Sequence, residues 1–183
     1  MGKTYDEITP ELAEWLKAQH LFFVATAPLD TQGMVNCSPK GMDTFQVLGP
    51  RQVAYLDLTG SGVETIAHLR ENGRIVLMFC ALTGPPKIVR LHGQGTVVTP
   101  DLPDFAELRA RFPQHVGERS VISVELTRIG DSCGFSIPRF EYIDERDTLV
   151  RWTEAKTAQE LVEYRCQKNA VSVDGLPGLD PPK

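Results

Sequence analysis

Three groups of residues in this chain have types suited to chemistry. They are the hydroxyls and backbone of Thr59-Gly60-Ser61-Gly62, the cations Lys40 and Arg90, and a few thiols and imidazoles. The turn at 59–62 lies between the apolar run QVAYLDL and an amphipathic run ending near residue 72, the order strand, turn, helix. A helix start offers unpaired N–H groups and a partial positive charge, which suits a phosphate. Neither named phosphate motif is met. A P-loop needs lysine after its last glycine, and Val63 follows Gly62; the dinucleotide fingerprint needs a third glycine where Thr65 stands. Ser61-Gly62-Val63-Glu64 also fits S-x-x-E, a capping box in which hydroxyl and carboxylate satisfy the helix's own N–H groups. Taken alone, the turn favours capping. Lys40 and Arg90 each read as surface charges unless the strands close and bring them to the same place.

Asp57, at the end of the strand, reads equally as a turn cap or as a group that orients a ligand. Cys37 has no histidine near it in sequence and reads as a buried structural cysteine rather than an activated thiol. His68 and His92 read as hydrogen-bonded or exposed imidazoles. Four dispersed cysteines without a C-x-x-C pair give no structural zinc site, and no metal is expected. No residue takes a catalytic role from spacing alone.

The elements that must position these residues follow from periodicity and punctuation. Thr9, Pro10 and the apolar face Leu12, Trp15, Leu16 predict a helix over about 10–19. LFFVATAPL, MVNCSPKG, two runs around Gly49-Pro50, RIVLMFCAL, KIVRLHGQGTVV and RSVISVELTRI read as strands. Gly93 and Gly95 within one of them predict a bulge, a bend or backbone close to a ligand. Gly73 is placed to end the helix after the turn. LPDFAELRARF predicts a further helix closed by Pro113. Thr157 and Glu160 form a capping-box pattern for a helix over about 157–169, before an irregular tail at 170–183. Hairpin-like neighbours with few crossover helices favour an antiparallel barrel over a doubly wound sheet.

The whole chain, 1–183, is expected to form a single domain. Net charge is −5, so general nucleic-acid binding is disfavoured. No apolar leader or membrane-length run appears, and free thiols fit the cytoplasm, which is the expected location.

The segments FFVATA, VNCSPKGMDTFQVL, VAYLDLTGSGVETIAHLRENGRIVLMFCA, GPPKIVRLHGQG and SCGFSIPRFEY resemble the pyridoxamine 5′-phosphate oxidase-related, FMN-binding split-barrel family, from about residue 8 to the tail. The similarity is strongest over 56–95 and lies with its uncharacterised, oxidase-like branch. The resemblance implies a mainly β fold with flanking helices, a six-stranded antiparallel split β-barrel. It also implies a homodimer with FMN at the subunit interface. Asn36, Cys37 and Ser38 would lie near the flavin, and Lys40 where the oxidases place a substrate-contacting lysine. Leu56, Asp57, Thr59, Ser61 and Gly62 would face the ribityl chain and phosphate, and Arg90 matches the second arginine of R-Q-V-R.

This sequence departs from the oxidases in two places. Gly60-Ser61-Gly62 stands where they carry Ser-Arg-Lys, so two phosphate cations are missing, and Ile88 replaces the glutamine of R-Q-V-R. The function implied is an FMN-dependent oxidoreductase acting on a small molecule, without pyridoxamine phosphate oxidation carried over. The alternatives are a flavin- or haem-binding module that stores, carries or senses its ligand, with His68 or His92 as haem ligands, and a cofactor-free dimeric barrel. SCGFSIPRFEY reads equally as core packing or as a wall of the partner subunit's pocket.

Overall fold

The computed structural model describes residues 2–180. In chain order the elements are β1 (Thr4–Tyr5), α1 (Pro10–Lys17), β2 (Phe22–Thr26), β3 (Asn36–Lys40), β4 (Phe45–Gly49), β5 (Gln52–Leu58) and α2 (Glu64–Asn72). They continue with β6 (Arg74–Cys80), β7 (Ile88–Val98), α3 (Phe105–Arg109), β8 (Glu118–Ser132), α4 (Thr148–Glu154) and α5 (Ala158–Lys168). Local chemistry accounts for several boundaries. The Thr9 side chain accepts the Leu12 N–H with Pro10 in the first turn of α1, and Thr157 and Glu160 form the expected capping box at α5. Gly73 ends α2 at φ 71, a left-handed conformation that glycine adopts without strain.

The strands pair antiparallel in the order β3-β2-β6-β7-β8-β5-β4, with β1 added beside β8. No ladder joins β3 to β4 among the described residues, so the barrel is split there. Side chains close the gap. Phe22 of β2, Phe45 of β4, Tyr55 of β5 and Phe79 of β6 meet inside with ring centroids 4.8–5.8 Å apart. Such pairs are worth roughly 0.5–1.5 kcal/mol each beyond their area. A smaller apolar cluster of Leu56, Val98, Phe112 and Val121 packs with Phe105 and Leu108 of the α3 segment.

Eight strands stand where six were expected. The runs read as strands account for seven of them, β4 and β5 on either side of Gly49-Pro50 included, and β1, two residues long, is too short for a period-two signal. The bulge alternative holds at Gly93: the β7–β8 register shifts there, and a Cβ on Gly93 would fall 2.3 Å from the Glu125 carbonyl oxygen. The helix expected around 102–112 shortens to α3, and α4 was not expected. The tail folds back as a turn, with Val171 bridging Pro177 and the Gly178 N–H bonded to the Ala170 carbonyl. Residues 181–183 of the expected irregular tail lie outside the described residues. Among the described residues no helix is long and apolar enough to cross a membrane.

Candidate functional site

The turn Thr59–Gly62 is held from behind. The Thr59 N–H and hydroxyl both donate to the Gly117 carbonyl, at 2.8 and 2.6 Å, and the same hydroxyl accepts from Arg165 Nε at 2.9 Å. Arg119 Nη1 donates to the Gly62 carbonyl at 2.9 Å, and Asn169 Nδ2 to those of Gly60 at 2.9 Å and Ser61 at 3.4 Å. The carbonyls of the turn are therefore engaged by side chains of β8 and the α5 end. The N–H groups of Gly60, Ser61 and Gly62 donate to nothing among the described residues.

The capping box expected at Ser61 does not form. Val63 is the N-cap of α2, and no side chain caps it. Val63 is 1% exposed and packs against the backbone of Gly178, so its burial sets where the helix begins. Glu64 instead accepts the Val173 N–H of the tail at 3.4 Å.

Behind the turn sits a buried ionic cluster. The Asp57 carboxylate receives Arg119 Nε at 2.6 Å, Lys40 Nζ at 3.2 Å and the Ser120 hydroxyl at 3.3 Å. Burial pushes the Asp57 carboxyl upward, but Arg119 and Lys40 outweigh it and hold it below the usual carboxylate value. Arg119 also donates to Asn169 Oδ1 at 3.0 Å, so one guanidinium joins β5, the turn and the end of α5. Burial and the nearby Asp57 push the Tyr55 hydroxyl well above a tyrosine's ordinary value, so it stays protonated. Arg119 and Arg165 also line a cavity of about 610 Å³ between the end of β7, α5 and the tail.

A second polar cluster lies along β3. Asn36 donates to Thr65 Oγ1 at 3.0 Å and to Thr26 Oγ1 at 3.3 Å, and Ser38 donates to Asn36. Thr26 Oγ1 lies 2.9 Å from His68 Nδ1. The other ring nitrogen, Nε2, is buried without a hydrogen bond and lies 3.8 Å from Asp174, which accepts the Met34 N–H.

Lys40 and Arg90 are not brought together. The register aligns Lys40 with Phe22, Phe79 and Val89, whereas Arg90 aligns with Met78, Phe23 and Pro39. Adjacent rows point to opposite faces, so Lys40 reaches inward to Asp57 while Arg90 donates outward to Ser132 at 3.0 Å. Thr59 is 1% exposed and its hydroxyl is already engaged, so it anchors the turn rather than offering a free donor. The Leu56 side chain points into the smaller apolar cluster. Cys37, read as buried, is exposed because it stands in the outward-facing row with Ala25, Val76 and His92. His92 lies outward in the same row parity as Arg90, and burial with Arg128 and Arg90 lowers its pKa. Among the described residues no group of three His, Cys, Asp or Glu could hold a metal ion.

Arg119, Arg165 and Asn169 escaped the sequence reading. The one available signal was Arg119 itself, a charge opening the apolar run RSVISV. Nothing local marks Asn169 or Arg165, which meet the turn across 106–109 residues of chain.

The chain matches the family model described as pyridoxamine 5′-phosphate oxidase over residues 8–133. It is 39% identical over 192 aligned residues to the pyridoxamine 5′-phosphate oxidase family protein ustO of Aspergillus flavus, covering 96% of this chain and 77% of that protein. Among solved structures it resembles HupZ of Group A Streptococcus, with a TM-score of 0.51 at 22% identity over 67% of this chain and 91% of that one. It also resembles a Lactobacillus delbrueckii protein provisionally described as a pyridoxamine 5′-phosphate oxidase, with a TM-score of 0.53 at 19% identity over 69% of this chain and 98% of that one. The two structural likenesses bear on the fold and agree with the antiparallel split barrel. With a family model spanning more than half its length and a relative matched nearly end to end, the chain belongs to the pyridoxamine 5′-phosphate oxidase family.

Proposed function

We propose that the protein binds FMN and exchanges two electrons between the flavin and a small-molecule substrate. The observation that carries this reading is the turn at 59–62. The carbonyls of Gly60, Ser61 and Gly62 are engaged by Arg119 and Asn169, the N–H groups of the same three residues are free of partners among the described residues, and the helix the turn opens has no side-chain cap. That donor set fits a phosphate. Glu64 opposes it in part, since its carboxylate lies beside Gly62. Ser61 and Gly62, both exposed, would meet the phosphate. Asn36 and Ser38, held by Thr26 and Thr65, would border the flavin with little freedom to reorient. When bound, the flavin supplies the redox chemistry, and the chain supplies position and charge.

The working unit in this reading is a homodimer with the cofactor at the subunit boundary. Residues 133–147 form no helix or strand and expose Phe135, Phe140, Tyr142 and Ile143. The segment is tied to the body through the Phe140 N–H on the Leu82 carbonyl and a Tyr142 ring stacked on His20 at 3.7 Å. Exposed apolar side chains of this size favour a partner surface.

A second reading, flavin binding without turnover, is supported by the Lys40–Asp57 ion pair. It occupies the cation that the resemblance assigns to substrate. The absorption spectrum of purified protein, followed by titration with FMN and measurement of solution mass, tests the proposal. Flavin bands or saturable FMN uptake by a dimer are expected. A monomer that takes up no FMN would overturn it. Anaerobic bleaching of the bound flavin by a reductant, with reoxidation by a small-molecule acceptor, would decide for turnover.

A further inference from the structure

We infer that Arg165, with Arg119, supplies from behind the turn the positive charge that recognises the cofactor's phosphate. This rests on the FMN reading above. The turn itself contains no cation: Thr59, Gly60, Ser61 and Gly62 precede Val63. A dianion held by neutral N–H groups alone, beside the Glu64 carboxylate, would be poorly compensated.

The structure provides the compensation through residues distant in sequence. Arg165 Nε bonds the first residue of the turn at Thr59 Oγ1, and its Nη2 donates to the Glu118 carbonyl at 2.9 Å. Its Nη1 donates to nothing among the described residues. Arg119 bonds the last residue of the turn through the Gly62 carbonyl. The two guanidiniums therefore flank the turn at both ends.

The carboxylates nearby do not cancel this charge. Asp57 is shared between Arg119 and Lys40, and the Glu118 carboxylate is taken by Arg109. Three cations, Lys40, Arg119 and Arg165, thus stand against Asp57 and Glu64 at the turn, while Asp101 and Asp180, the latter paired with Arg70, lie along the cavity that Arg119 and Arg165 also line. Burial, and after it the neighbouring Arg119, lower the Arg165 pKa below an arginine's ordinary value. An anion at the turn would relieve that repulsion. In a partly buried setting, charge acts over one residue's distance with less screening than in water.

Riboflavin and FMN differ only in the phosphate, so the pair isolates this effect. Titrations of wild type, Arg165→Met and Arg165→Lys with each flavin, followed by fluorescence quenching at several salt concentrations, test it. Wild type should prefer FMN over riboflavin. Arg165→Met should bind FMN about tenfold more weakly, the order expected for one charge-assisted contact. Its riboflavin affinity should be unchanged, the salt dependence of FMN binding should flatten, and Arg165→Lys should keep most of the preference. If Arg165→Met keeps the full preference, the inference is wrong and the FMN reading stands. If it loses both flavins equally, Arg165 is only a structural anchor of Thr59 and the inference is again wrong. If wild type binds both flavins alike, the phosphate is not recognised and the inference is wrong while FMN binding stands; if it binds neither, the FMN reading itself fails and takes the inference with it.

Discussion

Two polar clusters flank α2, and they are finished to different degrees. Around Asp57, the carboxylate, the guanidinium of Arg119 and the amide of Asn169 all have close partners. Around His68, Asn36 and Thr26 are partnered, but the buried Nε2 has no hydrogen bond and Asp174 stands 3.8 Å away. The partnered ion pairs fix one geometry around Asp57, where the neighbouring Tyr55 hydroxyl alone lacks a hydrogen bond among the described residues, whereas the orphaned imidazole nitrogen leaves slack at the centre of the second cluster. The rigid cluster braces the turn proposed to take the phosphate. The looser one joins β2, β3, α2 and the tail.

The largest expected effect lies in the rigid cluster. Asp57→Ala would leave Arg119 and Lys40 facing each other in a buried site. It should cost about 3–5 kcal/mol of unfolding free energy in a denaturant titration, as when one member of a buried pair is removed. A loss below about 1 kcal/mol would show that water reaches the cluster and that it is not rigid. The same pair should appear in the pH dependence. Asp57 has a native pKa held below its unfolded value. Its stabilisation is therefore complete above the unfolded value, roughly 3.9, and is lost as pH falls from there through the native value. Asp57→Asn should flatten that acid limb of the stability curve, and an unchanged slope would contradict the assigned direction.

Asn169→Ala should follow at about 1–3 kcal/mol, since it strips donors from two turn carbonyls and the acceptor from Arg119. In the looser cluster, Thr26→Val should cost about 1–2 kcal/mol, since its hydroxyl bonds both His68 and Asn36 and the second of these contacts is long. Thermal unfolding of the two variants side by side sharpens the comparison. Equal losses would mean that the two clusters are equally braced.

Much of the scaffold was legible locally. The strands at 22–26, 74–80 and 88–98, the Gly73 stop and the Thr157 capping box follow from side-chain period and from glycine and hydroxyl chemistry within a few residues. The site was less legible. Ser61 and Glu64 satisfied a capping pattern, yet burial of Val63 against the tail moved the helix start beyond Ser61. Lys40 and Arg90 were both plausible phosphate cations, but strand register sent them to opposite faces.

By itself the sequence determined that a glycine-flanked turn would join a strand to a helix near residue 60, because backbone preferences and side-chain period act over a few neighbours. Which charges stand behind that turn was decided only by the tertiary structure. Arg119, Arg165 and Asn169 reach it across 57–109 residues of chain, through a strand order and a C-terminal helix position that no short-range preference encodes.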